Sequence, residues 1–213
     1  MFSNYLATAL RNLTRNGAYA AITIAGLAIA FAAAILIGLY VRNELTFDRW
    51  IPGYQRVFLL NEKIAGLGQT INSDSTPEPL AKLLKLDFPQ IEYAAKLVAA
   101  GLAPAIRRGD TVTAEQSFDW VDPAFFKVMP MPALAGNPGT ALEAPDALVL
   151  TRSAARKYFG RDTPIGGVLQ WDGHPMRVAA VIGDIPSNSS IVGDVFGSSR
   201  APFSTTKQYA GGA

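Results

Sequence analysis

From Ala18 to Val41, "AYAAITIAGLAIAFAAAILIGLYV", the chain carries no charged residue over 24 positions. At the helical rise such a run spans about 36 Å, enough to cross a ~30 Å hydrocarbon core with some tilt. A core helix of a soluble protein rarely stays apolar on every side for that length. A secretory leader has a shorter apolar region, roughly 7–15 residues, and ends at a small-x-small cleavage site. Here the run exits into "YVRNELTFDRW", which contains no such site. The sequence therefore reads as an uncleaved transmembrane helix over 18–41.

Within this helix Gly26, Ala30, Ala34 and Gly38 recur every fourth position and form one narrow stripe. Transmembrane helices approach each other closely along such small-residue faces, so the stripe reads as a helix-packing face. An alanine-rich helix also produces this spacing by chance, and the sequence leaves both readings open. Upstream, "MFSNYLATALRNLTRNG" puts Phe2, Tyr5, Leu6, Ala9, Leu10 and Leu13 on one helical face. That pattern suits a short amphipathic helix over 1–17, lying in the membrane interface and separated from the span by Asn16-Gly17. Arg11 and Arg15 precede the span while Arg42, Arg49 and Arg56 follow it, so charge alone does not orient the chain.

The chain's 213 residues leave room for one domain of ordinary size after the span. A net charge of +2 with no Lys/Arg-rich block argues against broad nucleic-acid binding. Zero cysteines exclude disulfides, thiolate metal sites and a thiol nucleophile. With His174 as the one histidine, a site built on two imidazoles is also excluded.

The remainder alternates short strands with short helices, which predicts an α+β domain. "RVFLLNEKI" (Arg56 to Ile64) reads as a strand. "STPEPLAKLLKLDFP" reads as a helix with Ser75 or Thr76 as N-cap, ending before Pro89. "IEYAAKLVAA" reads as a strand, and "APAIRRGDTVTAEQSFDWV" as a hairpin turning at Arg108-Gly109-Asp110. "DPAFFKVM" is expected to be a short helix capped by Asp122. "DALVL" is a strand running into "TRSAARKYFG", a helix capped by Thr151 and closed by Gly160. "GVLQWDGHPMRVAAVIGDI" predicts two strands around Asp172-Gly173. From Ile185 onward the polar tail shows no clear periodic element.

Sequence motifs for catalysis are wanting. Arg108-Gly109-Asp110 is turn chemistry rather than a recognition tripeptide, and His174 in "WDGHP" reads as a solvated turn residue. "PIGGVL" is followed by neither GxGxxG nor a Walker lysine. Asp119, Asp122, Asp146, Asp162, Asp172 and Asp184 read as scattered caps and turns with no assignable acid/base pair. Asn188-Ser189-Ser190 fits a glycosylation sequon by spelling alone. No catalytic, cofactor-binding or metal-binding residue is therefore expected in this chain.

Several stretches taken together resemble a family. "NYLATALRNLTRNGAYAAITIAGLAIAFAAAILIGLYVRNELTFDRW" resembles the amino end of MacB/FtsX-type ABC-transporter permeases, where an N-Y-L-x-x-A-L-R-N-L lead runs through the helix into E-L-x-[FY]-D. "FPQIEYAAKL", "FDWVDPAFFKVM", "LAGNPGTAL", "LVLTRSAARKYFG" and "VIGDIPSNSS" are similar to the extracytoplasmic core domain that follows the first transmembrane helix there. The resemblance covers about residues 4–195. Ser190 stands where His is commoner, and Gly167 where Lys is more usual.

The resemblance implies a bacterial inner-membrane protein with a cytoplasmic amino terminus and an extracytoplasmic domain over 56–213. It further implies a dimer with a second permease copy and work with an ABC ATPase, which would bind ATP and magnesium in this chain's stead. A periplasmic adaptor or lipoprotein is a further implied partner, beside membrane lipid. Function would be mechanotransmission for export or efflux, without enzymatic activity in this subunit. Three further spans expected of such permeases are missing, so the chain is expected to be an amino-terminal fragment. The alternative is a single-span anchored module that binds a ligand or partner without energy coupling.

Between span and domain, "RNELTFDRWIPGYQRVF" packs Glu44, Phe47, Asp48, Trp50 and Tyr54 into a membrane-proximal joint over 42–55. Tyr40, Phe47, Trp50 and Tyr54 suit the interfacial belt. Glu44, Asp48 and Arg49 are expected in headgroup water, with Arg56-Val57-Phe58 beginning the first strand.

Overall fold

The computed structural model describes residues 5, 11, 15–66, 69–73, 76–77, 79–101, 104–115 and 117–206. It divides into two units at Phe47/Asp48. The expected interfacial helix over 1–17 lies almost wholly outside the described residues.

The first unit is one helix, α1 (Gly17–Leu45), 29 residues long and so about 44 Å. Asn16 leaves helical geometry at φ −115° and ψ 48°, which breaks the chain where the sequence expects it. None of the described α1 side chains is buried, and the helix is long and apolar enough to cross a membrane. It runs past Val41 through Arg42, Asn43 and Glu44, so the start of the expected joint is helical instead. These residues include no Gly or Pro, and Arg42 places a cation in the last turn, where the carbonyl end of the helix favours one. The Thr46 hydroxyl then donates to the Arg42 carbonyl at 2.8 Å and closes the helix.

The second unit is built on a mixed sheet. Its strands are β3 (Leu97–Ala99), β4 (Ala105–Arg108), β5 (Thr111–Ala114), β6 (Phe118–Val121), β7 (Ala133–Gly136), β8 (Ala147–Thr151), β9 (Val168–Trp171), β10 (His174–Ile182) and β11 (Val195–Ser198). The order is β3-β6-β11-β8-β10-β9-β4-β5, with β7 also on β10. β6/β11 and β8/β10 are parallel and the remaining pairs antiparallel. A separate hairpin joins β1 (Glu62–Gly66) to β2 (Gln69–Ser73). The helices are α2 (Leu80–Asp87), α3 (Phe125–Val128), α4 (Pro138–Ala141) and α5 (Arg152–Phe159).

The central strands are buried on both faces, every residue of β6, β8 and β11 being buried. One face packs Phe118, Trp120, Leu148, Leu150 and Val178 against Tyr158 of α5. The other packs Val121, Val149, Ile182 and Phe196 against Phe125 and Phe126 of α3, and against Ile51. Each such side chain contributes roughly 1.5–3 kcal/mol on full burial. β11 threads between β6 and β8 because Gly197 leaves room. A Cβ there would stand 2.7 Å from the Phe118 ring and 2.8 Å from the Trp120 ring.

Several sequence expectations are met locally. Thr151 Oγ1 accepts from the Ala154 amide at 3.1 Å and Gly160 closes α5 at φ +65°. Asp172 and Gly173 turn at φ +47° and +80°, the two positive values that a tight primed hairpin requires. Others need correction. Residues 57–61 join no ladder, and the strand expected from Arg56 begins only at Glu62. Phe58 and Leu59 are more than three-quarters exposed, so no neighbouring strand rewards their alternation. α2 begins at Leu80, after the second of two closely spaced prolines, and not at Thr76. Asp122 does not cap α3, whose preceding residue is Ala124. Its carboxylate is occupied elsewhere, accepting from the Lys96 amide and the Ser199 hydroxyl. The tail after Ile185 holds β11, the strand that joins the two halves of the sheet.

Candidate functional site

The second unit opens with a segment that is woven into its core. Asp48 adopts φ +56°, a left-handed conformation that Asp tolerates better than most residues. Its amide donates to the Asn188 carbonyl at 2.9 Å. Its carboxylate accepts from the Ser190 amide at 2.7 Å and from the Ser190 hydroxyl. Two turns follow, with the Ile51 amide on the Asp48 carbonyl and the Tyr54 amide on the Ile51 carbonyl. Ile51 is 4% exposed, and Trp50 and Val57 pack against the same aromatic cluster.

The segment that receives Asp48 is itself fixed at both ends. Asp184 Oδ1 accepts from the Ser153 amide at 2.7 Å, at the start of α5. Asp194 Oδ1 accepts from the Thr151 hydroxyl at 3.0 Å, and its carbonyl from the Thr151 amide. Ile185 and Ile191 pack into the core beside Ile51. The whole stretch 184–194 thus ties residue 48 to the N-terminus of α5 and to the sheet.

Two carboxylates lie deeper. Glu115 is 3% exposed, accepting from Lys157 Nζ at 2.8 Å, the Tyr158 hydroxyl at 2.5 Å and the Ser117 amide at 3.2 Å. Burial pushes its carboxyl up, but these donors outweigh burial and hold it below the ordinary value. Tyr158 is pushed up, first by burial and then by Glu115. Asp119 lies mid-strand in β6, 9% exposed, its Oδ2 against Gly193. Its carboxylate has no hydrogen-bond or ion-pair partner among the described residues, and burial raises it to about 6. Sequence reading placed Asp119 among caps and turns; it is a strand residue facing the Ile51 side of the sheet.

The sequence-proposed joint residues divide. Glu44 and Phe47 belong to the first unit, Asp48, Trp50 and Tyr54 to the second. Trp50 is half-buried and packs against the domain core, and Asp48 is held by Ser190. Tyr54 stays exposed at the end of the second turn. Gly26 and Gly38 have open space where a Cβ would stand, and Ala30 and Ala34 are exposed on the same helix. His174, expected to be solvated, is exposed but stacks on Phe203 at 4.1 Å between ring centroids. No group of three or more metal-ligating side chains occurs among the described residues. Asn188 and Ser190 stood out in the sequence only as a sequon and a departure from the family pattern, and Glu115 not at all, because their partners are distant in the chain, 142 residues away for Ser190.

Compared with known families, residues 20–211 match the profile of the MacB-like periplasmic core domain. The chain belongs to that family. Two stretches that carry the sequence resemblance, "ELTFD" and "VIGDIPSNSS", are those that meet at the Asp48–Ser190 contact of this MacB-like domain. A domain described as part of a permease protein from Porphyromonas gingivalis shares 22% identity and a TM-score of 0.57, covering 69% of this chain and 65% of its own. The periplasmic region of MacB from Actinobacillus actinomycetemcomitans aligns at 16% identity and TM-score 0.40, covering 55% and 52%. The extracellular domain of the noncanonic ABC-type transporter YknZ from Gram-positive bacteria aligns at 17% and 0.36, covering 48% and 53%. The chain spans between half and two thirds of these solved domains. Comparison with the curated proteins finds no match. A membrane-length helix followed by a domain of a periplasmic family makes this a membrane-anchored protein with an extracytoplasmic domain.

Proposed function

We propose that this chain is the amino-terminal part of an ABC-transporter permease, transmitting ATP-driven motion from a cytoplasmic partner ATPase to its MacB-like domain for export or efflux. ATP and magnesium would be bound by that partner. The observation that carries the reading is the short passage from helix to core. Only Thr46 and Phe47 separate the end of α1 from Asp48, whose backbone and side chain are both fixed in the domain. A long flexible linker would dissipate displacement; a short and hydrogen-bonded entry suits its transfer. In this reading the amino terminus is cytoplasmic, the membrane is the bacterial inner membrane, and Gly26, Ala30, Ala34 and Gly38 pack against further helices or a second permease copy. A periplasmic adaptor or lipoprotein would meet the outer domain.

The test uses the full-length gene product in native membranes. A flexible Gly/Ser segment inserted between Thr46 and Phe47 should abolish transport while an ATPase still co-purifies. This position spares Trp50, whose packing an insertion after residue 50 would disturb. Transport that survives the insertion removes the transmission role. Failure to recover any ATPase favours the uncoupled, single-span binding module.

A further inference from the structure

The far edge of the sheet is open, and its chemistry selects a partner. Among the described residues β5 is the terminal strand, paired on one side with β4 alone. Their register puts Arg108 opposite Thr111, Arg107 opposite Val112 and Ile106 opposite Thr113 across a two-residue turn. In such a hairpin the pair next to the turn exchanges both bonds, so the next residue, Val112, points its N–H and C=O away from β4. Natural sheets protect edges with charge, proline or a bulge; "TVTA" has no charge or proline, and its register with β4 is unbroken.

Beside this edge a cleft of about 360 Å³ opens between Thr111 and Thr113 of β5, Arg108 of β4, and the last turn of α5. Its charges are mostly basic. Arg108 lies over the Phe159 ring at 4.7 Å and has no carboxylate partner among the described residues. Lys157 and Arg156 line the same cleft, paired with Glu115 and Asp162. The guanidinium therefore stands oriented on an aromatic face, with its own anion still to find.

We propose that this edge binds an extended acidic peptide segment, which adds to β5 as a further strand and sets a carboxylate on Arg108. Main-chain bonds to Val112 would supply affinity, and the cleft would select the side chain. Arg108 beside the edge, unpaired among the described residues, favours an acidic occupant over a second copy of this chain paired edge to edge, whose own β5, Thr111–Ala114, carries no carboxylate to set there.

The experiment measures fluorescence anisotropy of the full chain in detergent micelles. The probe is a fluorescein-labelled acetyl-Thr-Glu-Val-Glu-Thr-Glu-Val-Thr amide, with its Lys-for-Glu counterpart as control. Saturable binding of the Glu peptide alone is expected. Arg108→Glu should weaken it by about tenfold or more, the loss of one charge-assisted contact. Val112→Pro, which removes an outward N–H without touching the β4 ladder, should abolish it. Absence of saturable binding overturns the proposal, as does equal binding by both variants. Full competition by inorganic phosphate together with unchanged binding to Val112→Pro reduces the site to an anion pocket and also overturns it. So does spontaneous cross-linking of Val112→Cys between copies without peptide.

Discussion

Glu115 and Asp119 are two carboxylates four residues apart, both buried beside one sheet, with opposite fates. Glu115 looks toward α5 and meets an ammonium, a phenol and an amide. Asp119 looks toward the Ile51 side and meets a glycine and the edge of an aromatic cluster. Burial costs each of them; only one recovers that cost through hydrogen bonds. The contrast teaches that the α5 corner is closed by hydrogen bonds, whereas on the side that receives Asp48 burial raises a carboxyl to about 6.

The comparison can be broken first at its stronger side. Glu115→Ala should cost about 3 kcal/mol, because the buried Tyr158 hydroxyl loses its acceptor together with an ion pair. Denaturant unfolding of the full chain followed by tryptophan fluorescence reads this directly. Asp119→Asn should act in the opposite sense, raising stability at pH 8 by on the order of 2–3 kcal/mol, as a rise from 3.8 to about 6 implies. A neutral effect there would mean that Asp119 is solvated.

Stability against pH sharpens the same contrast. Glu115 is held below its ordinary value of 4.5, so its contribution is present above that pH and lost as pH falls through it. Asp119 is raised, so its contribution is present below 3.8 and lost as pH rises through about 6. Acting alone, the two groups place the maximum near pH ~4, where the Glu115 contribution is nearly complete and that of Asp119 has only begun to fall. Asp119→Asn should flatten the alkaline arm of the profile and leave the acid arm intact.

Smaller effects follow at the surface. Asp48→Asn weakens charge-assisted bonds at a partly exposed contact and should lower stability by about 1 kcal/mol. Its larger signature should be faster proteolysis near residue 48. Asp162→Asn removes the Arg156 pair, which is exposed, and should leave the unfolding midpoint unchanged.

Much of the fold was legible where local chemistry decides. The apolar run of α1, the Thr151 cap, Gly160 and the Asp172-Gly173 turn each carry their own signal over a few residues. The α+β class followed from the alternation of such signals. What escaped depends on distant neighbours. "VFGS" offers a glycine, a serine and two apolar residues, a poor strand by propensity, yet it is buried because β6 and β8 flank it. "RVFLL" has the opposite history, a good strand by composition with no pairing strand among the described residues. At the candidate site the residues of the joint were visible as a dense cluster, but Asp48 had no visible purpose without Ser190.

The late position of β11 in the chain has a consequence for how the domain is made. Without Val195–Ser198, β3 and β6 have no ladder to the β8-to-β5 half, so the sheet exists as two incomplete parts. Synthesis runs from the amino end, and α1 emerges before the strands. All strands up to β10 must therefore be delivered before the two halves can be closed by a single four-residue insertion. Closure of this sheet is a late, long-range event. Until then, the edges of β6 and β8 that β11 covers stay unpaired.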